Sequence, residues 1–216
     1  MKKLAKVLTL SLMALLCNNL FSEETKQEPK ELSDWTSFQL GFFPGAPSAT
    51  NYSNVYGLKL GAPMVAGHGR IYGIEPSVLY SGTNYVQGIQ ATILGACISR
   101  QVYGMQAAWF GFAMSDKVNG FQGSIGAAVS GKLSGFQASL ANVTTEKSFG
   151  CQGSVVNIAT NFKGFQAAAV NIASDTLEGV QLGVVNYSDH KGCQFGLVNI
   201  IKDGFLPFMI IFNVSF

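Results

Sequence analysis

Apolar and polar positions alternate along the chain from Phe38 onward, and the alternation restarts on one short phrase. Across residues 164–174, one set of alternate positions holds Phe165, Ala167, Ala169 and Asn171, and the other holds Gln166, Ala168, Val170 and Ile172. A period of two marks a strand, because successive side chains point to opposite faces. Helical spacing fits worse, and the 25 glycines argue against helix. Each restart reads Gly, an apolar residue, Gln, and then Asn five residues after the Gln. The phrase is complete at Gly135-Phe136-Gln137 with Asn142, Gly150-Cys151-Gln152 with Asn157 and Gly164-Phe165-Gln166 with Asn171. It recurs at Gly179-Val180-Gln181 with Asn186 and at Gly192-Cys193-Gln194 with Asn199. Upstream, Gln122, Gln106 and Gln90 persist, while five residues on stand Ala127, Gly111 and Gly95. Successive Gln spacings from Gln90 are 16, 16, 15, 15, 14, 15 and 13 residues. Such a period decides architecture before any single residue decides chemistry.

The same slot extends back through Glu75 and Lys59 to Gln39. Residues 205–216 lack the Gln but keep the alternation. The pattern therefore predicts twelve strands in an all-β domain over residues 35–216. From Arg100 onward the charges fall between the repeats, at Asp116/Lys117, Lys132, Glu146/Lys147, Lys163, Asp175/Glu178, Asp189/Lys191 and Lys202/Asp203. With Arg70 placed in a turn, Lys59 and Glu75 are the charges left inside strands. A soluble sheet ordinarily carries charge on its wet face. Here both faces are nearly uncharged, so hydrocarbon or a packed interior must cover them.

Two folds satisfy this pattern. The first is an up-and-down transmembrane β-barrel, since about ten residues of strand and a turn of about five make the period. Twelve is an even strand number, and closure removes exposed edges. On this reading the opening aromatics Phe121, Phe136 and Phe165 alternate between two rims, and the Gln slot faces a lumen. Phe208, Ile210, Phe212, Val214 and Phe216 alternate up to the last residue and resemble the terminal signal by which outer-membrane barrels are recognised for insertion. The alternative is a β-solenoid of ~15-residue coils, in which every Gln stacks in one ladder. Stacked coils would bring Lys59 and Glu75 side by side. The pair reads either as lumenal charges that shape or seal a pore, or as a compensating pair of buried charges. The lumenal or ladder slot thus comprises Gln39, Lys59, Glu75, Gln90, Gln106, Gln122, Gln137, Gln152, Gln166, Gln181 and Gln194.

The repeat resembles that of a bacterial surface-repeat family built on G-[apolar]-Q-x-G-x-V-N phrases. Residues 179–186 and 192–199 carry the likeness best, and residues 54–60 resemble the family's opening. The resemblance spans residues 38 to 199. It implies an exported, outer-membrane or surface protein and implies no established activity.

Composition adds a location. Only 12% of the 216 residues are charged, against about 25% in ordinary soluble domains. The net charge of +2 gives no reason to expect nucleic acid as a partner. Residues 1–22 read as a signal peptide, with Lys2, Lys3 and Lys6 ahead of an apolar stretch too short to span a bilayer. Cys17 offers a lipidation site, although Leu16 before it is larger than a lipobox prefers. Residues 23–34 are charged, contain Pro29 and read as a flexible lead-in. Cys97, Cys151 and Cys193 cannot close a disulfide framework, and the latter two take the place of Phe in the phrase.

Candidate chemistry is sparse. His68 and His190 read as solvated turn residues without metal-ligand spacing, and Ser188 near His190 makes a poor nucleophile–base pair. The sequence points to no enzyme and no cofactor. The expected partners are outer-membrane lipid and the barrel-assembly machinery for the barrel, or a surface ligand for the solenoid.

Overall fold

A computed structural model describes residues 35–215. The expected signal peptide, the lead-in, Cys17 and Phe216 lie outside the described residues. Twelve strands form one sheet in strict sequence order. They are β1 (Trp35–Gly41), β2 (Asn54–Gly61), β3 (Met64–Ser77), β4 (Tyr80–Thr92), β5 (Ala96–Ala108) and β6 (Phe112–Ser124). Then follow β7 (Ala127–Ala138), β8 (Ala141–Gly153), β9 (Val156–Ala173), β10 (Leu177–Ser188), β11 (Gly192–Ile201) and β12 (Phe208–Ser215). One short helix, α1 (Ala49–Tyr52), interrupts the path between β1 and β2.

The barrel expectation is overturned by strand direction. Every neighbouring pair from β1 to β11 is parallel, and only β11–β12 is antiparallel. An up-and-down barrel needs antiparallel neighbours and a closing pair, whereas β1 and β12 are the two ends of the sheet. The molecule is a β-solenoid, the alternative the period also allowed. The chain does not reverse at the end of each repeat; it winds round and lays the next repeat directly on the last.

The winding is legible in β5. Cys97, Ser99, Val102, Gln106 and Ala108 are buried, so inward positions jump at Arg100-Gln101 and resume beyond Gly104. Each coil accordingly has three short sides, represented in β5 by residues 96–99, 101–103 and 105–108. We call them the Asn side, the polar side and the Gln side. The corner between polar and Gln sides is a glycine in each of ten coils, Gly57 to Gly192, with φ between +129° and +158°. Only glycine adopts such angles readily. A Cβ on Gly135 would also lie inside the van der Waals envelope of the Gly120 carbonyl oxygen one coil below.

This geometry corrects four further expectations. Arg100, Asp116, Lys117, Lys132, Glu146, Lys147, Lys163 and Glu178 lie within strands, because the strands bend through the polar side without ending. Arg70 and His68 likewise belong to β3, at the irregular bend between Gly67 and Arg70. The opening aromatics form one column instead of alternating between rims; the Phe121 and Phe136 rings stack 5.6 Å apart. The partners of the Asn column upstream are Ala128, Ala113 and Cys97, displaced from Ala127, Gly111 and Gly95. The bends before them are longer, with Ile93-Leu94-Gly95 and Trp109-Phe110-Gly111 where later coils use a single Leu140 or Val155.

Candidate binding surface

The Gln slot forms a continuous ladder inside the solenoid. Gln90 Nε2 donates to Glu75 Oε1 at 3.0 Å, and the same donation repeats up the column through Gln106, Gln122, Gln137, Gln152, Gln166, Gln181 and Gln194 at 2.6–2.9 Å. All these amides are buried, which is tolerable only because each is paired. A second ladder runs on the Asn side. Asn142 Nδ2 donates to Asn157 Oδ1 at 3.0 Å, and Asn157, Asn171 and Asn186 donate onward to Asn199 at 2.8–2.9 Å. The two ladders point in opposite senses along the axis, so their amide dipoles oppose each other. The polar side closes the interior with the apolar Val102, Val118, Leu133, Phe162 and Leu177.

The ladder starts at the charged pair. Lys59 and Glu75 are both fully buried on adjacent strands. Lys59 Nζ donates to Thr50 O and Ala66 O at 3.1 Å each and to Thr83 Oγ1 at 2.9 Å. Burial holds the Lys59 ammonium below its usual pKa, opposed by the Glu75 charge. Burial likewise raises the Glu75 carboxyl, opposed first by Lys59. Gln39, one strand below Lys59, donates to Ser53 Oγ beside α1. At the far end Asn213 of β12 stands opposite Gln194 and donates to Leu206 O at 3.1 Å. The slot residues thus make a sealed structural column, and none of them faces a pore.

The remaining chemistry-bearing residues are scattered over the coils. Burial lifts the Cys97 thiol to about 12, and the thiol contacts Thr92 Oγ1 and Ala107 O. His190 lies between Asp175 and Asp203 at 3.5 and 2.8 Å on an exposed bend, and His68 meets Asn84 at 3.2 Å. No cluster among the described residues could hold a metal ion. Arg70, Tyr72, Tyr85, Gln87, Gln101 and Tyr103 line an open groove of about 220 Å³. Phe208, Ile210 and Phe212 lie exposed on β12, which covers the last coil, with Val214 half-buried beside them.

The outer surface shows which of the two nearly uncharged strand faces lies outside. On the Gln side, the outward positions hold only apolar residues in all eleven coils, from Phe38 and Leu40 to Cys193 and Phe195. On the Asn side, the outward positions from Ala96/Ile98 to Val198/Ile200 are equally uncharged. The corner joining them is apolar too: Ile93, Trp109, Ile125, Leu140, Val155, Val184 and Leu197 are exposed, Trp109 by 66%. Among the described residues the exterior charge is confined to the polar side and the bend leading into it; Lys132 meets Glu146 at 3.4 Å and Lys163 meets Glu178 at 3.2 Å. These pairs are exposed and contribute little to stability. The signal was present in the sequence as turn-confined charge, but it concealed which strand face was covered.

No known protein-family model, curated protein or solved structure matches this chain. The described residues define an all-β solenoid with a polar-ladder interior and a one-sidedly charged exterior.

Proposed function

We propose that this protein is an exported, non-catalytic β-solenoid that works by binding an apolar surface along its flank. The observation that carries the reading is the pair of uncharged sides meeting at an apolar corner. A soluble monomer seldom exposes an apolar patch larger than about 300–600 Å². Ten inter-strand steps of about 4.8 Å and sides of about five residues give each flank roughly 48 by 16 Å, so one side alone exceeds that size. Repetition of one surface supports binding over catalysis, since a catalytic site needs unlike groups converging on one reacting atom. The basic and apolar start of the chain and the likeness to bacterial surface-repeat proteins support export to the cell surface.

Adsorption tests the reading. The protein is expected to bind a methyl-terminated monolayer and to ignore a hydroxyl-terminated one. Phe136→Lys and Phe165→Lys, both outward on the Gln side, are expected to weaken adsorption at least tenfold with an unchanged far-ultraviolet spectrum. Equal retention on both monolayers would overturn it.

A further inference from the structure

We infer that the occupant of the apolar flank is the hydrocarbon of a lipid layer, with the solenoid axis lying in the membrane plane and the Trp109 corner pointing into the acyl chains. This rests on the surface-binding reading above and names its partner.

Area and shape select hydrocarbon over a second copy. A flat face-to-face dimer would cover one side per copy, about 770 Å² and thus close to the ~800 Å² per partner of a stable interface. It would leave the other side and the exposed corner in water. The corner is convex, and a fluid medium closes over both sides of a convex wedge where a rigid flat partner cannot.

Depth then selects one leaflet over a full span. A side of about five extended residues is ~16 Å long, so the wedge stands ~14 Å high, near half of a ~30 Å hydrocarbon core. The backbone imposes no penalty there. The flank is sheet face, not sheet edge, and its amides and carbonyls are paired coil to coil. Both ladders are sealed inside, so the wedge offers lipid no charged group. At the rim stand Arg100, Asp116, Lys117, Lys132, Glu146 and Lys147, where the polar side begins. Lys132 pairs there with Glu146 at 3.4 Å and the Lys117 ammonium lies 5.8 Å from the Tyr103 ring, so the charged groups stay on the headgroup side of the apolar flank. This is the lateral arrangement of an amphipathic helix, built from a sheet.

The chain has two tryptophans, which makes the orientation measurable. Trp109 lies at the apolar corner, whereas Trp35 packs on Tyr56 at 4.1 Å on the polar side. In Trp35→Phe, Trp109 is the sole tryptophan; in Trp109→Phe, Trp35 is. The probe is a phosphatidylcholine vesicle brominated near the middle of the acyl chain. Trp109 is expected to shift to the blue and lose more than half its emission, while Trp35 keeps most of its own. Ile125→Lys with Leu140→Lys puts two charges at the corner without touching the interior, and is expected to lower vesicle partitioning roughly a hundredfold. Adsorption to the methyl monolayer without vesicle binding would overturn the lipid assignment and leave the surface-binding reading standing. Failure of both would sink both. Equal quenching of Trp35 and Trp109, or a stable detergent-free dimer with Trp109 protected from vesicle bromine, would overturn the orientation or the occupant.

Discussion

At the residue scale, the interior of this solenoid is unusual in being amide where most cores are aliphatic. A buried amide is tolerable only in a chain of partners, and parallel in-register coils supply one at every step. Lys59 and Glu75 are departures from that scheme, and their burial makes them costly. Breaking a buried pair from one side typically costs about 3–5 kcal/mol, whereas replacing both charges by well-packed neutral side chains avoids that penalty, and with apolar ones is often neutral or stabilising by about 1–4 kcal/mol. Lys59→Gln with Glu75→Gln would continue the amide ladder from Gln39 to Gln194, since these positions stand in register. We therefore expect the double variant to match or exceed the parent in urea denaturation and Lys59→Gln alone to fall well below it. The pH dependence has a definite sign. Glu75 is raised by burial above its ordinary 4.5, and removing Lys59 removes the charge that opposes the rise. A raised carboxyl contributes stability that is present below 4.5 and lost as pH climbs through the folded value. The melting temperature of Lys59→Gln should thus decline as pH rises from that point, and that of the double variant should stay level. A level profile for Lys59→Gln would show that Glu75 finds another compensating charge.

At the element scale, what decides the fold is the bend. The corner glycine combines positive φ with a neighbouring carbonyl where a side chain would sit. Backbone strain of this kind costs about 1–3 kcal/mol before any clash is added. Gly135→Ala is expected to lose at least ~2 kcal/mol of unfolding free energy, counting both terms. Gly153→Ala is the control: it lies outward on the Gln side with nothing within 4 Å of the added methyl, so a change inside ~0.5 kcal/mol is expected. Equal losses would deny the corner glycines their special role. The same bends explain how much the sequence disclosed. The strands and the Gln column could be read directly, because each coil demands the same residue at the same place. Topology could not, since in-and-out alternation is identical in a barrel and a solenoid. The discriminating sign was a shift of parity, as at Arg100-Gln101 where two successive residues face out, and it looks like an ordinary turn. The Asn column was misplaced upstream because Trp109-Phe110-Gly111 lengthens a bend without disturbing the Gln register. Lys59 beside Glu75 was the local clue to stacking, and the opposite charges on adjacent strands fit it. The near-absence of charge on both strand faces was legible, but which face forms the outer flank appears only once inward and outward positions are known.

At the scale of the whole molecule, coils beyond β4 touch only their neighbours, and stability is close to a sum of coils and interfaces. The ends are treated differently from the middle: α1 and Ser53 close the ladder at Gln39, and antiparallel β12 closes it at Gln194. A central coil should therefore be removable, provided that a whole one is removed. Deleting residues 136–150 joins Gly135 to Cys151 and brings Gln152 directly onto Gln122, preserving corner, ladder and flank. This variant is expected to fold, to keep the parent's far-ultraviolet spectrum per residue, and to unfold with a smaller denaturant slope in proportion to the surface lost. Deleting residues 136–143 removes about half a coil and sets the Gln side of one coil on the wrong side of the next. It would bury charge from the polar side against the amide ladder, and no fold of this type survives an unpaired buried charge cheaply. That variant is expected to lose cooperative unfolding altogether. If both deletions behaved alike, the repeat would not be the unit of folding. If the whole-coil deletion folded but no longer partitioned into vesicles, the length of the flank, and not its composition alone, would set membrane affinity.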